Sequence, residues 1–242
     1  MTKSATSSVQ SASHTLRVAQ PAAWLAVYAT VAALLLLAAL HVLSPEFSPS
    51  WRVISEYALG HYAWVLSLMF LAWAIGTWAL ALAMWRRVHA KAAKIGVWLL
   101  ILAGAGEALA SLLDVTHPVG HGVAGVLGVI GFPAAAMLLS LASGGKELWG
   151  GARRVLVWLA NLSWISVILT IATLALLTMQ MAQFNAGHLP QHAPKSLPMG
   201  VVALDGWADR LIVLANCAWV LVAGWHLVRA SHPQSSPVQG AS

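Results

Sequence analysis

The chain has 242 residues, 60% of them hydrophobic and 8% charged, with a mean hydropathy of +0.77. Soluble globular domains carry about 25% charged residues, so a water-soluble domain is excluded; the net charge of +6 sits in short loops between apolar runs and implies no nucleic-acid partner. The single cysteine, Cys217, rules out an intramolecular disulfide and a cysteine-rich metal site, and reads as a small core residue.

Residues 1–20 are rich in Ser, Thr and Ala without an apolar pattern and are expected to form a disordered cytoplasmic tail. Six apolar runs follow, at 24–43, 62–85, 95–113, 121–141, 155–179 and 207–228, each near the ~20 residues that cross the hydrocarbon core. They are continuous and rich in Leu and Ala, unlike the alternating segments of a membrane barrel, so the expected fold is all-α: one bundle of six transmembrane helices over 21–230. The first run is too long for a cleaved signal and is expected to remain as a helix; 231–242 reads as a second loose tail.

Orientation follows from the basic residues. With both termini cytoplasmic, Lys3, Arg17, Arg86, Arg87, Lys91, Lys94, Lys146, Arg153, Arg154 and Arg229 lie inside, and only Arg52, Lys195 and Arg210 outside. That distribution places a multi-pass protein in the cytoplasmic (inner) membrane, with the lipid bilayer as its partner. The loops 86–94 and 146–154 would attract anionic headgroups. Trp24, Trp51, Trp85, Trp98, Trp149, Trp207 and Trp225 fall near span ends, as interfacial anchors do.

The outer end collects the acidic residues. Glu46, Glu56, Asp114, Asp205 and Asp209 lie there, and Glu107 lies inside the third span, where a carboxyl needs a cavity or a partner. Helical spacing puts Glu107, Ser111 and Asp114 on one face. Pro118 fits the first turn of the fourth helix, with His121 one turn in. Gly122, Gly125, Gly128 and Gly131 form a ridge along that helix that would admit a neighbouring backbone, with Gly104 and Gly106 as candidates. Asp205 is a plausible N-cap of the sixth helix. Arg210, in the first turn of that helix, is expected to pair with Asp114 or Glu56. Ser163, Ser166, Thr170 and Thr173 make a polar seam on the fifth helix, suited to interhelical hydrogen bonds.

Ser55-Glu56-Tyr57-Ala58-Leu59-Gly60 before the second span, Asp114 ending the third, His121-Gly122 opening the fourth, Phe132-Pro133 within it, and Gly206 to Arg210 opening the sixth together resemble a bacterial six-helix family of unknown function, DUF998. The resemblance runs from about residue 24 to 228. It implies a six-helix bundle with recurring polar residues near the outer surface, carried here by Ser55, Glu56, Asp114, His121 and Arg210, and an unassigned activity. The family is similar in turn to broader groups of six-helix membrane proteins, some linked to lipid handling. Members often carry a second histidine one turn after the His-Gly pair; this chain has Gly125 there and His117 on the preceding turn.

The expected site is an outward-facing polar pocket formed by Ser55, Glu56, Glu107, Asp114, His117, His121, Asp209 and Arg210, roofed by 44–61 and 180–206, and suited to a lipid headgroup or small amphiphile. Three other readings stand beside it. Asp114, His117 and His121 could hold zinc in a metal-assisted membrane hydrolase, with Glu56 or Glu107 as base, although D-x-x-H-x-x-x-H is far less specific than a helical H-E-x-x-H. Glu107 and the seam of the fifth helix could line a route for a proton or ion. Glu56, Asp114 and Arg210 could form an ion-pair network tying helix ends together and nothing more. Haem is disfavoured, since His41 and His226 sit near opposite ends of their spans.

Overall fold

The computed structural model describes residues 3–142, 148–185 and 196–230. Helix α1 (Lys3–Leu43) is followed by a loop with one 3-10 turn (Ile54–Leu59), then α2 (Ala63–Met84), α3 (Lys91–Leu112), α4 (Pro118–Gly125), a π-helical turn (Val126–Ile130), α5 (Gly131–Leu141), α6 (Arg153–Phe184) and α7 (Asp205–Ala230). Among the described residues six segments are long and apolar enough to cross a membrane, α4, the π turn and α5 together forming one of them. Helix α1 begins at Lys3, within the segment expected to be a loose tail. Once a span is helical each added residue gains one backbone bond, so Ala- and Gln-containing sequence can continue it. The tail at 231–242 lies outside the described residues.

Helices α1, α2 and α3 pack in order, α3 packs on α4 and α5, α5 on α6, and α6 on α7, which returns to α1 and also touches α2. Between helices in lipid, close approach of small side chains replaces the hydrophobic drive. Ala23, Ala26, Thr30 and Ala33 form the small, buried stripe of α1. A Cβ added at Gly76 of α2 would meet Thr30 Oγ1 at 2.5 Å, and one at Gly224 of α7 would meet Val27 at 3.0 Å.

One end of the bundle is filled by Trp149, Trp219, Phe132, Leu139 and Met84. Trp149 is fully buried and donates its indole N–H to Leu139 O at 2.8 Å, while Trp219 donates to Ser140 Oγ at 3.1 Å. Trp149 is therefore a core residue and not the interfacial anchor expected of it. Burying the ring was compatible with its polar handle because the carbonyl of Leu139 was within reach. Trp85, Trp98, Trp207 and Trp225 are exposed, as anchors should be. The other end is filled by Phe47, Ile54, Tyr57, Met69, Trp73 and Cys217, the last fully buried as expected.

The polar seam of α6 does not bond across helices. Ser163, Ser166, Thr170 and Thr173 donate to Leu159 O, Ser163 O, Ser166 O and Thr170 O, all on their own helix. Short hydroxyl side chains on a helix find the carbonyl one turn back before they find a neighbour.

Candidate functional site

The loop at 44–60 is fastened to the start of α7. Gly206 makes this possible: a Cβ there would overlap Pro49 O and stand 2.6 Å from Arg52 O, so only glycine lets the loop backbone lie against the helix. Gly206 N donates to Ser50 O at 3.2 Å, and Asp209 Oδ2 accepts from Ile54 N at 2.7 Å. Arg210, one turn after Gly206 and 4% exposed, spends its guanidinium on four acceptors. Nε donates to His41 Nε2 at 2.7 Å, Nη1 to Arg52 O and Gly206 O at 2.8 Å each, and Nη2 to Tyr57 Oη at 3.1 Å. His41 Nδ1 faces Leu37 O at 2.7 Å, so the bonding pattern assigns the ring proton to Nδ1 and leaves Nε2 as acceptor.

Arg210 therefore pairs with neither Asp114 nor Glu56. Glu56 is held instead by Arg52 at 2.8 Å, whose guanidinium stacks over Trp51 at 4.4 Å from the ring centre. Asp114 forms a separate exposed turn. It accepts from the Thr116 amide at 2.8 Å and from the Thr116 hydroxyl, and His117 Nδ1 stands 3.4 Å away. The Thr116 hydroxyl and amide, then His117, hold the Asp114 carboxyl below its usual range.

The face expected to join Glu107, Ser111 and Asp114 is broken, because α3 ends at Leu112 and Leu113 takes an extended conformation, turning Asp114 off the helix. Ser111 bonds back to Ala108 O. His121 directs Nδ1 to Leu113 O at 3.0 Å. Among the described residues no three His, Cys, Asp or Glu side chains are grouped so as to hold a metal ion. Asp205 lies one residue inside the expected N-cap position. Its carboxyl is buried beside Thr173 without the geometry of a hydrogen bond.

A cavity of about 110 Å³ lies between α2, α3, α4 and α7, under the 3-10 turn. Ser55, Glu107, His121 and Asp209 of the expected site line it; Glu56, Asp114, His117 and Arg210 do not. Of the expected roof, Ile54 and Ser55 reach the cavity, and 186–195 lies outside the described residues. Residues 196–204 are tied to α6 through Gln180, which exchanges two 2.9 Å hydrogen bonds with the Val202 backbone.

Glu107 is 3% exposed, and among the described residues neither of its carboxyl oxygens meets a hydrogen-bond partner. Thr77 Oγ1 lies beside it without the geometry of a bond. The same holds for both side-chain polar atoms of Asn216, which is fully buried, and for the indole N–H of Trp73; Asn216 and Trp73 line the same cavity. Buried polar groups in a membrane protein are ordinarily satisfied, because the alternative costs about 1–3 kcal/mol each. Glu107, Asn216 and Trp73 bring such groups to the lining of one cavity. Asn216 and Trp73 escape notice in the sequence, being neutral residues in apolar runs; the available signal is that Asp209, Val213 and Asn216 fall one and two turns apart on one face of α7.

Helix α4 is shaped around Glu107. Gly106 presses on it so closely that an added Cβ would stand 2.6 Å from Gly128 N and 2.7 Å from Ala124 O, fulfilling half of the expected glycine contact; Gly104 faces Trp78 instead. The π turn at Val126–Ile130 sits at this crossing, and Gly125, Gly128 and Val129 form the cavity wall. Isolated π turns within helices recur at functional sites.

Six helices long and apolar enough to cross a membrane define the class among the described residues: an integral membrane protein. The model of a family described as protein of unknown function (DUF998) matches residues 24–226, and the chain belongs to that family. No curated protein and no solved structure matches it.

Proposed function

We propose that this protein binds a small amphiphile, most simply a lipid through its headgroup, in the cavity between Glu107 and Asn216. The observation that carries the reading is the convergence of unpartnered buried polar atoms from α2, α3 and α7 on one cavity. Depth supports it: Glu107 is five residues from the end of α3 at Leu112, about 7.5 Å at ~1.5 Å per residue, within reach of a headgroup drawn slightly below the interface. Access supports it as well. Segment 118–130 packs on α3 but makes no comparable interface with α6, and its Val123 and Val126 are exposed, as are Ile171 and Leu174 of α6. A lateral path from lipid to the cavity fits that arrangement. The distribution of Lys and Arg supports a place in the cytoplasmic membrane with the basic loops inside.

The test is native mass spectrometry of the protein released from membranes, with lipid extraction of the bound fraction. Gly125 lines the cavity, and a Cβ there meets no atom within 4 Å, so the Cβ of Gly125→Leu is accommodated and the rest of the side chain adds bulk at the wall. Wild type should retain a defined lipid or amphiphile after delipidation and Gly125→Leu should lose it with its thermal stability intact. Equal retention by both proteins would remove the cavity from the account.

A further inference from the structure

The cavity is acidic and aromatic. Among the described residues its lining holds two carboxyl side chains, Glu107 and Asp209, one histidine, His121, and the rings of Phe70 and Trp73, and no Lys or Arg. Asp209 is already engaged, accepting from Ile54 N and lying next to Arg210, which leaves Glu107 without a counter-charge among the described residues. The titratable groups facing Glu107 are Cys217 and Asp209 of α7 and His121 of α4; α2 presents Thr77 and Trp73, which do not titrate. Such a carboxyl is stable as the neutral acid, or as the anion when a cation is delivered to it.

We propose that the headgroup held here carries a primary ammonium, which displaces the proton of Glu107 and forms an ion pair with it; this rests on the ligand-binding reading above. The free acceptors match the ammonium. It carries three N–H donors, and three side-chain oxygens of the lining residues lack a partner among the described residues, Oε1 and Oε2 of Glu107 and Oδ1 of Asn216. Phe70 and Trp73, stacked on each other with ring centres 6.3 Å apart, add aromatic rings to the lining, and such rings attract organic cations. The remaining unpartnered donors, Asn216 Nδ2 and Trp73 Nε1, suit an oxygen a short distance along the same ligand, a hydroxyl or a phosphate ester. The cavity admits a group of a few heavy atoms, the size of an amino-alcohol end. On binding, the Glu107 proton leaves to solvent as the ammonium arrives, so ligand and proton compete for one site. An aminophospholipid headgroup and a free amino alcohol share this chemistry.

The probes are phosphatidylethanolamine, phosphatidylglycerol and free ethanolamine, added to delipidated wild type, Glu107→Gln and Asn216→Ala, with bound fraction read by native mass spectrometry and folding by thermal melting. Wild type should retain phosphatidylethanolamine at least tenfold better than phosphatidylglycerol, with retention falling as pH is lowered. Glu107→Gln should erase both the preference and the pH dependence while melting normally. If ethanolamine alone competes, the ligand is a free amine; if only the intact lipid binds, it is the lipid, and either result upholds the ammonium. Retention of phosphatidylglycerol equal to that of phosphatidylethanolamine, unaffected by Glu107→Gln but lost in Asn216→Ala, would overturn the ammonium and leave the ligand-binding reading standing. Absence of retention of any probe by wild type would overturn both.

Discussion

Arg210 donates through Nε to Nε2 of His41 across 2.7 Å, joining the second turn of α7 to the last turn of α1. With Arg52 O, Gly206 O and Tyr57 as the other acceptors, this cation is a clamp on the loop at 44–60 and not part of the cavity. Lysine cannot reproduce a planar fork aimed at four acceptors. Arg210→Lys should cost about 3 kcal/mol, and His41→Ala about 1 kcal/mol, since hydrogen bonds to charged groups contribute more than neutral ones and leave buried acceptors unmet when lost. Unfolding monitored in detergent checks both, with the His41 variant the milder.

Gly206 and Gly122 make a matched pair. Gly206→Ala would drive a methyl into the carbonyls of Pro49 and Arg52, which are backbone and cannot swing aside, so destabilisation of about 2 kcal/mol is expected. Proteolysis or hydrogen exchange should report release of the loop at 44–60. Gly122→Ala meets nothing within 4 Å, and replacing a helical glycine by alanine should stabilise by up to about 1 kcal/mol.

Asp114 gives the pH dependence of the exposed turn. Its carboxyl titrates below the usual range, so the turn's contribution is complete above the ordinary carboxylate value near ~3.9 and is lost as pH falls through the lower, folded one. At neutral pH Asp114→Asn should destabilise by less than about 1 kcal/mol, because the group is largely exposed, and the difference should vanish in acid. A carboxyl-carbon NMR titration should place the Asp114 midpoint below the ordinary value; a midpoint at or above it would contradict the Thr116 contacts.

Topology is testable with Cys217, which is buried and unreactive in the folded bundle. A cysteine at Glu46 should be labelled by a membrane-impermeant reagent from outside the cell, and one at His89 only after the cytoplasmic face is opened. The reverse pattern would overturn the orientation proposed from the basic loops.

The six spans were legible because hydropathy and length are local properties, and Glu107 was legible because a carboxyl inside an apolar run is conspicuous. The role of Arg210 was not, since His41 lies 169 positions away and its remaining acceptors are mostly backbone carbonyls that no side-chain pattern announces. The same limit applies to Trp149, whose burial depends on the carbonyl of Leu139. The face shared by Glu107 and Asp114 failed for a local reason: helical spacing was carried past Leu112, where the helix stops. Asn216 entered the site only once the fold brought α3 and α7 to the same cavity.

An experimental density map of the protein in lipid, resolved around α3, α4 and α7, tests the central claim most directly. Non-protein density in contact with both the Glu107 carboxyl and the Asn216 amide is expected. Glu107 and Asn216 bonded to other protein side chains, with the space between them closed, would contradict it.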